Sequence, residues 1–141
     1  MDMDRELELI IKRKAAEILR RSTAGRERCP EGPLHADPQL LHSVLNKCGV
    51  VLADFWAAWC GFCRLVEPVV RVVADKYAGK MAVVKVNVDE NPELVMKYGV
   101  ASLPTLILFC RGREYKRFVG FHPLLGRQII EEVEKLLRVC S

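Results

Sequence analysis

Two cysteines three residues apart, Cys60 and Cys63, have the spacing of a pair that could do chemistry. Two thiols at this spacing can close a small disulfide ring on one helical turn and open it again. Before them runs 50–53, which has the length and β-branching of a buried strand. After them, the apolar positions of 65–74 repeat with helical spacing. The pair therefore lies where a strand meets a helix N-terminus, whose free N–H groups and dipole stabilise a thiolate.

Three interpretations of this pair compete. Half of a zinc site would need two further ligands, and His35, His42 and His122 are scattered along the chain without a second ligand pair. Chance is the second interpretation, since six cysteines in 141 residues make a close pair unremarkable. The strand-to-helix context and the aromatic residue before Cys60 favour the third, a thiol–disulfide active site.

The stretch from Ala53 to Cys60, ADFWAAWC, resembles the active-site strand of the thioredoxin family. The resemblance covers about residues 34–139 and continues, in family order, through Pro68, Lys85, Asp89, Ser102-Leu103-Pro104-Thr105 and Gly120. It implies an α/β thioredoxin fold, in which helices cover both faces of a central mixed β-sheet. The domain is expected to be 34–141, preceded by an N-terminal helical extension and linker, 1–33.

The resemblance also implies a function, that of a thiol–disulfide oxidoreductase reducing protein disulfides through a Cys60-Gly-Phe-Cys63 dithiol. Cys60 would be the exposed nucleophile with a lowered pKa, and Cys63 the resolving thiol. No bound cofactor or metal is expected, and a thioredoxin reductase would be the electron donor. A disulfide oxidase or isomerase, and a redox-inert binding module with the same fold, remain as alternatives.

Two charged residues complete the expected catalytic set. Asp54 is a carboxylate inside an apolar strand, where burial should raise its pKa and suit it to proton exchange with Cys63. The alternative is a surface Asp at a strand end, which the resemblance disfavours. Lys85, on the neighbouring strand, resembles the family's partner of that carboxylate, and an exposed lysine is the competing interpretation.

A substrate-binding surface should lie beside the cysteines. The residues expected to border it are Trp59, Gly61, Phe62, Leu103, Pro104 and Gly120. Pro104 matches the family's cis-proline, which would expose the backbone of Leu103 for strand-like pairing with a substrate, although a trans turn proline is the alternative. Phe62 stands where the commonest members of that family have proline. We therefore expect a redox potential between about −270 and −180 mV, the values of thioredoxin and protein disulfide isomerase.

Composition and charge limit the partners and the location that the protein is expected to have. A net charge of +4, with basic and acidic residues interspersed, does not favour nucleic-acid binding. No apolar run is long enough for a membrane span, and the acidic N-terminus is unlike a secretory signal. The expected location is therefore cytoplasmic.

The N-terminal extension has a pattern of its own. Residues 4–21 are predicted to form an amphipathic helix, with acidic residues at its start and Arg20 and Arg21 at its end. Its apolar stripe comprises Leu7, Ile10, Ile11, Ala15, Ile18 and Leu19. We expect this helix to pack on the domain or on a second copy, in preference to a dedicated partner or a membrane. Residues 22–33 are predicted to be a linker.

The remaining elements follow from periodicity and turn signals. The predicted helices start at Asp37-Pro38, after Cys60, at Asn91-Pro92 and at Pro123; the predicted strands start at Val50, Met81, Thr105 and Glu114, the last two joined by a tight turn at Arg111-Gly112.

Three other cysteines should meet at the end of the sheet opposite the active site. Tracing strand directions places Cys48, Cys110 and Cys140 there, whereas Cys29 cannot be placed. In an ordinary cytosol all would be reduced, but Asn and Gln total only five, which leans towards a hot-adapted protein. We predict that one pair among these three is bridged.

Overall fold

A computed structural model describes residues 4–15 and 29–140. Its centre is a five-stranded mixed sheet with strand order β1-β3-β2-β4-β5. Residues 4–15 form helix α1. The other elements, in chain order, are β1 (Pro33–His35), α2 (Pro38–Lys47), β2 (Val50–Trp56), α3 (Gly61–Lys76), β3 (Ala82–Asn87), α4 (Pro92–Tyr98), β4 (Thr105–Cys110), β5 (Arg113–Val119) and α5 (Leu125–Val139). This confirms the predicted mixed sheet with helices on both faces.

Strand β2 organises the sheet because it pairs on both sides, in parallel with β3 and antiparallel to β4. Alternate residues of β2 enter different cores. Val50 and Leu52 pack with α3 and α5, whereas Val51, Ala53 and Phe55 pack on the side of α2. Helices on both faces explain why the strand is apolar without a break until Asp54.

Strand β1 is a three-residue edge strand that the sequence did not reveal. Leu34 pairs in parallel with Val84 of β3. It begins with a proline and contains no β-branched residue, so it lacked the composition that identifies a strand. The predicted linker, 22–33, therefore includes the first residue of this strand. Further upstream, the Cys29 N–H donates to the Gly79 carbonyl at 2.9 Å, so the chain joins the domain before the boundary predicted at 33.

Helix α1 confirms part of the predicted N-terminal helix, and residues 16–21 lie outside the described residues. Leu7, Ile10 and Ile11 of its apolar stripe are 49–58% exposed. The described domain thus does not cover this face, and packing on a second copy remains a prediction.

Local turn chemistry agrees with the sequence. Asp37 caps α2 by accepting a hydrogen bond from the Leu40 N–H at 2.8 Å. Arg111 and Gly112 join β4 and β5 with φ of 49° and 82°. Two positive φ values are those of the tight turn whose twist matches a hairpin.

All cysteines of the described residues are in disulfides. Cys110 and Cys140 are bridged, with Cα atoms 5.5 Å apart, which confirms the prediction of one pair among three. Cys48 pairs with Cys29, at a Cα separation of 5.8 Å. That second bridge was not predicted, because strand directions fix the pole at which a residue lies but not where a preceding segment passes.

The Cys110–Cys140 bridge should stabilise the domain without taking part in its chemistry. It closes a sequence separation of 30 residues, and closing such a loop restricts the unfolded chain. The variant Cys110→Ala/Cys140→Ala should have a free energy of unfolding lower by about 3 kcal/mol. Urea unfolding measures this, with activity on a small disulfide as the control. An unchanged unfolding midpoint would contradict the structural role.

Candidate active site

The Cys60–Cys63 pair occupies the first turn of α3. Cys60 is the N-cap residue, in an extended conformation, and its Sγ accepts a hydrogen bond from the Cys63 backbone N–H at 3.1 Å. The two residues form a disulfide with a Cα separation of 5.3 Å. Cys60 Sγ thus lies at the helix N-terminus, where a free N–H group can stabilise it as an anion.

Cys60 is less exposed than predicted. In this disulfide form it is only 7% exposed and Cys63 is 4% exposed. Both pack in a small cluster with Ala57, against which Leu103 also lies. The exposed nucleophile expected from the sequence is therefore not seen in this disulfide form.

An exposed aromatic rim surrounds the pair. Trp59 is 70% and Phe62 63% exposed, and Gly61 between the cysteines is exposed too. The Trp59 Nε1–H donates to Asp89 Oδ2 at 2.9 Å, which fixes the indole over the loop after β3. The disulfide is therefore bordered by exposed apolar area.

The segment before β4 completes this rim. The Leu103–Pro104 peptide bond is cis, as the sequence predicted. Gly120 is linked to it, because its N–H donates to the Pro104 carbonyl at 2.8 Å. Gly120 has a φ of 83°, and a Cβ built there would meet no atom within 4 Å. Glycine is therefore favoured by the backbone conformation, and the space above it is open.

Asp54 is buried, as predicted, at 1% exposure. It continues the face of β2 on which Val50 and Leu52 pack against α3. Burial raises its pKa from 3.8 to about 7, against the opposing effect of the Lys85 charge. Its Oδ1 has no hydrogen-bond partner within the part of the chain that the structure describes. A buried carboxyl that titrates near neutrality can accept and return a proton.

Lys85, the expected partner of Asp54, forms no salt bridge with it among the described residues, although its charge lowers the pKa of that carboxyl. It is opposite Asp54 in the β2–β3 register, but its ammonium pairs with Glu67 of α3. Its Nζ also lies 4.8 Å from the centre of the Trp56 ring. Since no salt bridge to Asp54 exists among residues 4–15 and 29–140, the influence of Lys85 on that carboxyl is electrostatic at longer range.

Glu67 is the residue of this site that sequence reasoning missed. The available signal was its position four residues after Cys63, one turn further along the same face of α3.

No group of three or more residues that could hold a metal was found among the described residues. In the same residues, no helix has the length and apolarity needed to cross a membrane.

The raised pKa of Asp54 makes the stability of the fold depend on pH. The folded state holds this proton up to about pH 7, whereas the unfolded chain releases it near 3.8. Stability due to Asp54 is therefore lost as the pH rises through this window. The variant Asp54→Asn, which does not titrate, should have a free energy of unfolding roughly 2–4 kcal/mol above the unmodified protein at pH 8 and about equal to it at pH 4.

Urea unfolding of both proteins across this range, in their oxidised forms, measures the difference. Asp75→Asn, at an exposed position of α3, is the matched control. A difference that is constant with pH would show that Asp54 keeps its ordinary pKa.

Comparisons with known proteins agree with this geometry. The family model described as Thioredoxin matches residues 34–134. A thioredoxin of Alicyclobacillus acidocaldarius is 53% identical over 73 residues, which are 52% of this chain and 70% of that protein. Thioredoxin 1 of Nostoc is 48% identical over 87 residues, or 62% of this chain and 81% of the relative.

Solved structures give the same result. A mutant thioredoxin from Halobacterium salinarum superposes with a TM-score of 0.71 at 36% identity, covering 79% of this chain and 96% of that one. Plasmodium falciparum thioredoxin superposes with a TM-score of 0.66 at 28% identity, covering 72% and 98%. The matched family model, these relatives and the disulfide at the start of α3 together show that the chain belongs to the thioredoxin family and is a thiol–disulfide oxidoreductase that reduces protein disulfides.

Proposed function

We propose that Cys60 is the nucleophile of this reduction and Cys63 the resolving thiol. The observation that carries the assignment is the Cys63 N–H directed at Cys60 Sγ at the N-terminus of α3. In the reduced protein, the Cys60 thiolate attacks one sulfur of a substrate disulfide and expels the other as a thiolate. Cys63 then loses its proton and attacks Cys60 Sγ, which closes the ring and releases the substrate dithiol. Two electrons pass from the protein to the substrate.

Asp54 would receive the Cys63 proton. It faces α3 from β2, and its pKa of about 7 lets it hold a proton or release one at neutral pH. A buried carboxylate becomes a better base when its charged form is poorly solvated. Lys85 is proposed to modulate this carboxyl through its charge.

Substrates are proposed to bind across the rim formed by Trp59, Gly61, Phe62, Leu103, Pro104 and Gly120. The exposed rings supply apolar area, and the open space above Gly120 admits an extended chain close to the backbone. Membership of the thioredoxin family implies disulfide-containing protein substrates and a thioredoxin reductase that returns the electrons. We propose that this cycle operates in the cytoplasm.

Phe62 favours a second candidate activity, disulfide oxidation or isomerisation. The residue between Gly61 and Cys63 tunes the balance between dithiol and disulfide, and an exposed phenyl ring stands where proline is usual in the family. A potential closer to about −180 mV than to about −270 mV would favour isomerisation over reduction.

The uncovered face of α1 supports self-association. Along residues 4–15 the charges change sign, from Asp4, Glu6 and Glu8 to a basic run at 12–14, and all of these residues are exposed. Two copies of α1 packed antiparallel would bury both apolar stripes and place each acidic start beside a basic end. Parallel packing would instead place like charges together.

The proposed roles of the two cysteines predict different variant behaviour. Cys63→Ser should accumulate a mixed disulfide between Cys60 and a substrate protein, because no resolving thiol remains. Cys60→Ser should form no such adduct. Non-reducing electrophoresis with a disulfide-containing substrate measures both. If Cys60→Ser forms an adduct through Cys63 as readily as Cys63→Ser forms one through Cys60, the assignment is contradicted.

Self-association predicts a second contrast, between two faces of α1. Ile10→Asp places a charge on the apolar stripe and should convert a dimer to a monomer, whereas Leu9→Asp, on the opposite face, should not. Sedimentation equilibrium measures the mass, and reduction of a small disulfide should be unchanged in both variants. A functional interface should form at a concentration on the order of tens of micromolar. If the unmodified protein is still a monomer there, the proposal is contradicted.

A further inference from the structure

We propose that Glu67 is a positioning residue of this reaction, which holds the Lys85 ammonium beside Trp56 and thereby sets how readily Asp54 takes up a proton. The inference rests on the proposed proton transfer through Asp54 and adds to it a residue that determines its pH range.

The geometry places Lys85 between two carboxylates. Its backbone is directly opposite Asp54 in the parallel β2–β3 pair, within reach of an ion pair with that carboxylate if the side chain turned towards it. Its ammonium instead pairs with Glu67, with Nζ 4.8 Å from the Trp56 ring centre. The Lys85 side chain is only 11% exposed and Asp54 is buried, so little solvent screens the Lys85 charge from the Asp54 carboxyl.

Within the described part of the chain, no other charge faces Asp54 from the neighbouring strands. Its partner on β4 is Leu106, and its partner on β3 is Lys85. The other charged or titratable groups in this part of the fold are His35, Glu67, Arg71 and Asp75, which line with Lys85 a cavity of about 500 Å³ between β1 and α3. Of these, Glu67 forms the ion pair with Lys85, so the position of the Lys85 charge depends on Glu67.

Removing the Glu67 charge should therefore lower the pKa of Asp54. Lys85 is then left without a counter-ion and free to approach Asp54, and a positive charge nearer to the carboxyl favours its ionised form. The fold should tolerate the change, because the Glu67 side chain is 43% exposed and a pair with one exposed partner adds little stability.

The test compares the pH dependence of protein-disulfide reduction in the full chain, driven by dithiothreitol, for the unmodified protein and Glu67→Gln. The midpoint of the transition due to Asp54 should move to lower pH by about half a unit or more. Glu93→Gln, an exposed change on α4 across the sheet, should leave it in place. In a Lys85→Met background the Glu67→Gln shift should nearly vanish, because the charge through which Glu67 acts is gone.

A second measurement separates this inference from the proposal on which it rests. The carboxyl ¹³C shift of Asp54, followed by NMR in the oxidised protein, reports its titration directly. An Asp54 titration that is the same in Glu67→Gln as in the unmodified protein would overturn the role of Glu67, whatever the rates do. If Asp54→Asn keeps an unaltered pH–rate profile, the proton role of Asp54 itself fails and Glu67 has no catalytic consequence, even where the NMR shift is found.

Discussion

The backbone N–H of Cys63, directed at the Cys60 sulfur, is the interaction on which the site depends. It exists because β2 ends where α3 begins, and because Cys60 occupies the N-cap position, where a helix has N–H groups without internal partners. In most helices a Ser, Asp or Asn oxygen accepts these groups. Here a sulfur accepts, so the same geometry that starts the helix would also stabilise the thiolate of the proposed nucleophile, Cys60.

The second constraint is the cost of burying charge near that turn. β2 is covered on both faces, and an ionised Asp54 in this strand is disfavoured by several kilocalories per mole in an apolar environment. As a consequence the pKa of Asp54 is raised, and the fold is less stable at high pH, where this carboxyl must ionise. In the proposed mechanism Glu67 and Lys85 modulate this cost, and their pair, with Glu67 43% exposed, adds little stability of its own. This division, with a neutral carboxyl inside and a balanced pair outside, fits a site adjusted for proton transfer near neutral pH.

Features determined by neighbouring residues could be predicted from the sequence. The Asp37 cap, the hairpin turn at Arg111-Gly112 and the strand-to-helix junction at Cys60 each depend on a few adjacent side chains. That one pair among Cys48, Cys110 and Cys140 is bridged could also be predicted, because the directions of the strands and of the closing helix bring all three to one pole. The buried state of Asp54 was expected from the apolar strand around it together with the family resemblance, which disfavoured a surface position at the strand end.

Features that depend on how segments far apart in the sequence lie beside one another could not be predicted. The Cys29–Cys48 bridge requires the path of a segment without periodicity, and β1 is recognisable only once β3 offers it an edge. The ion pair of Lys85 with Glu67 was not predicted, because strand register brings Lys85 opposite Asp54 and only packing decides which carboxylate its ammonium contacts. Cys60 is buried in a structure with its disulfide closed, a redox state that a sequence does not specify.

The central claim is that the start of α3 stabilises a thiolate at Cys60, and the alkylation rate of the reduced protein measures this most directly. In a Cys63→Ser variant, with the other two disulfides intact, iodoacetamide should modify Cys60 with a pH midpoint well below the value of about 8.5 for a free cysteine. A midpoint at or above that value would show that the helix N-terminus does not activate this sulfur, and would contradict the account.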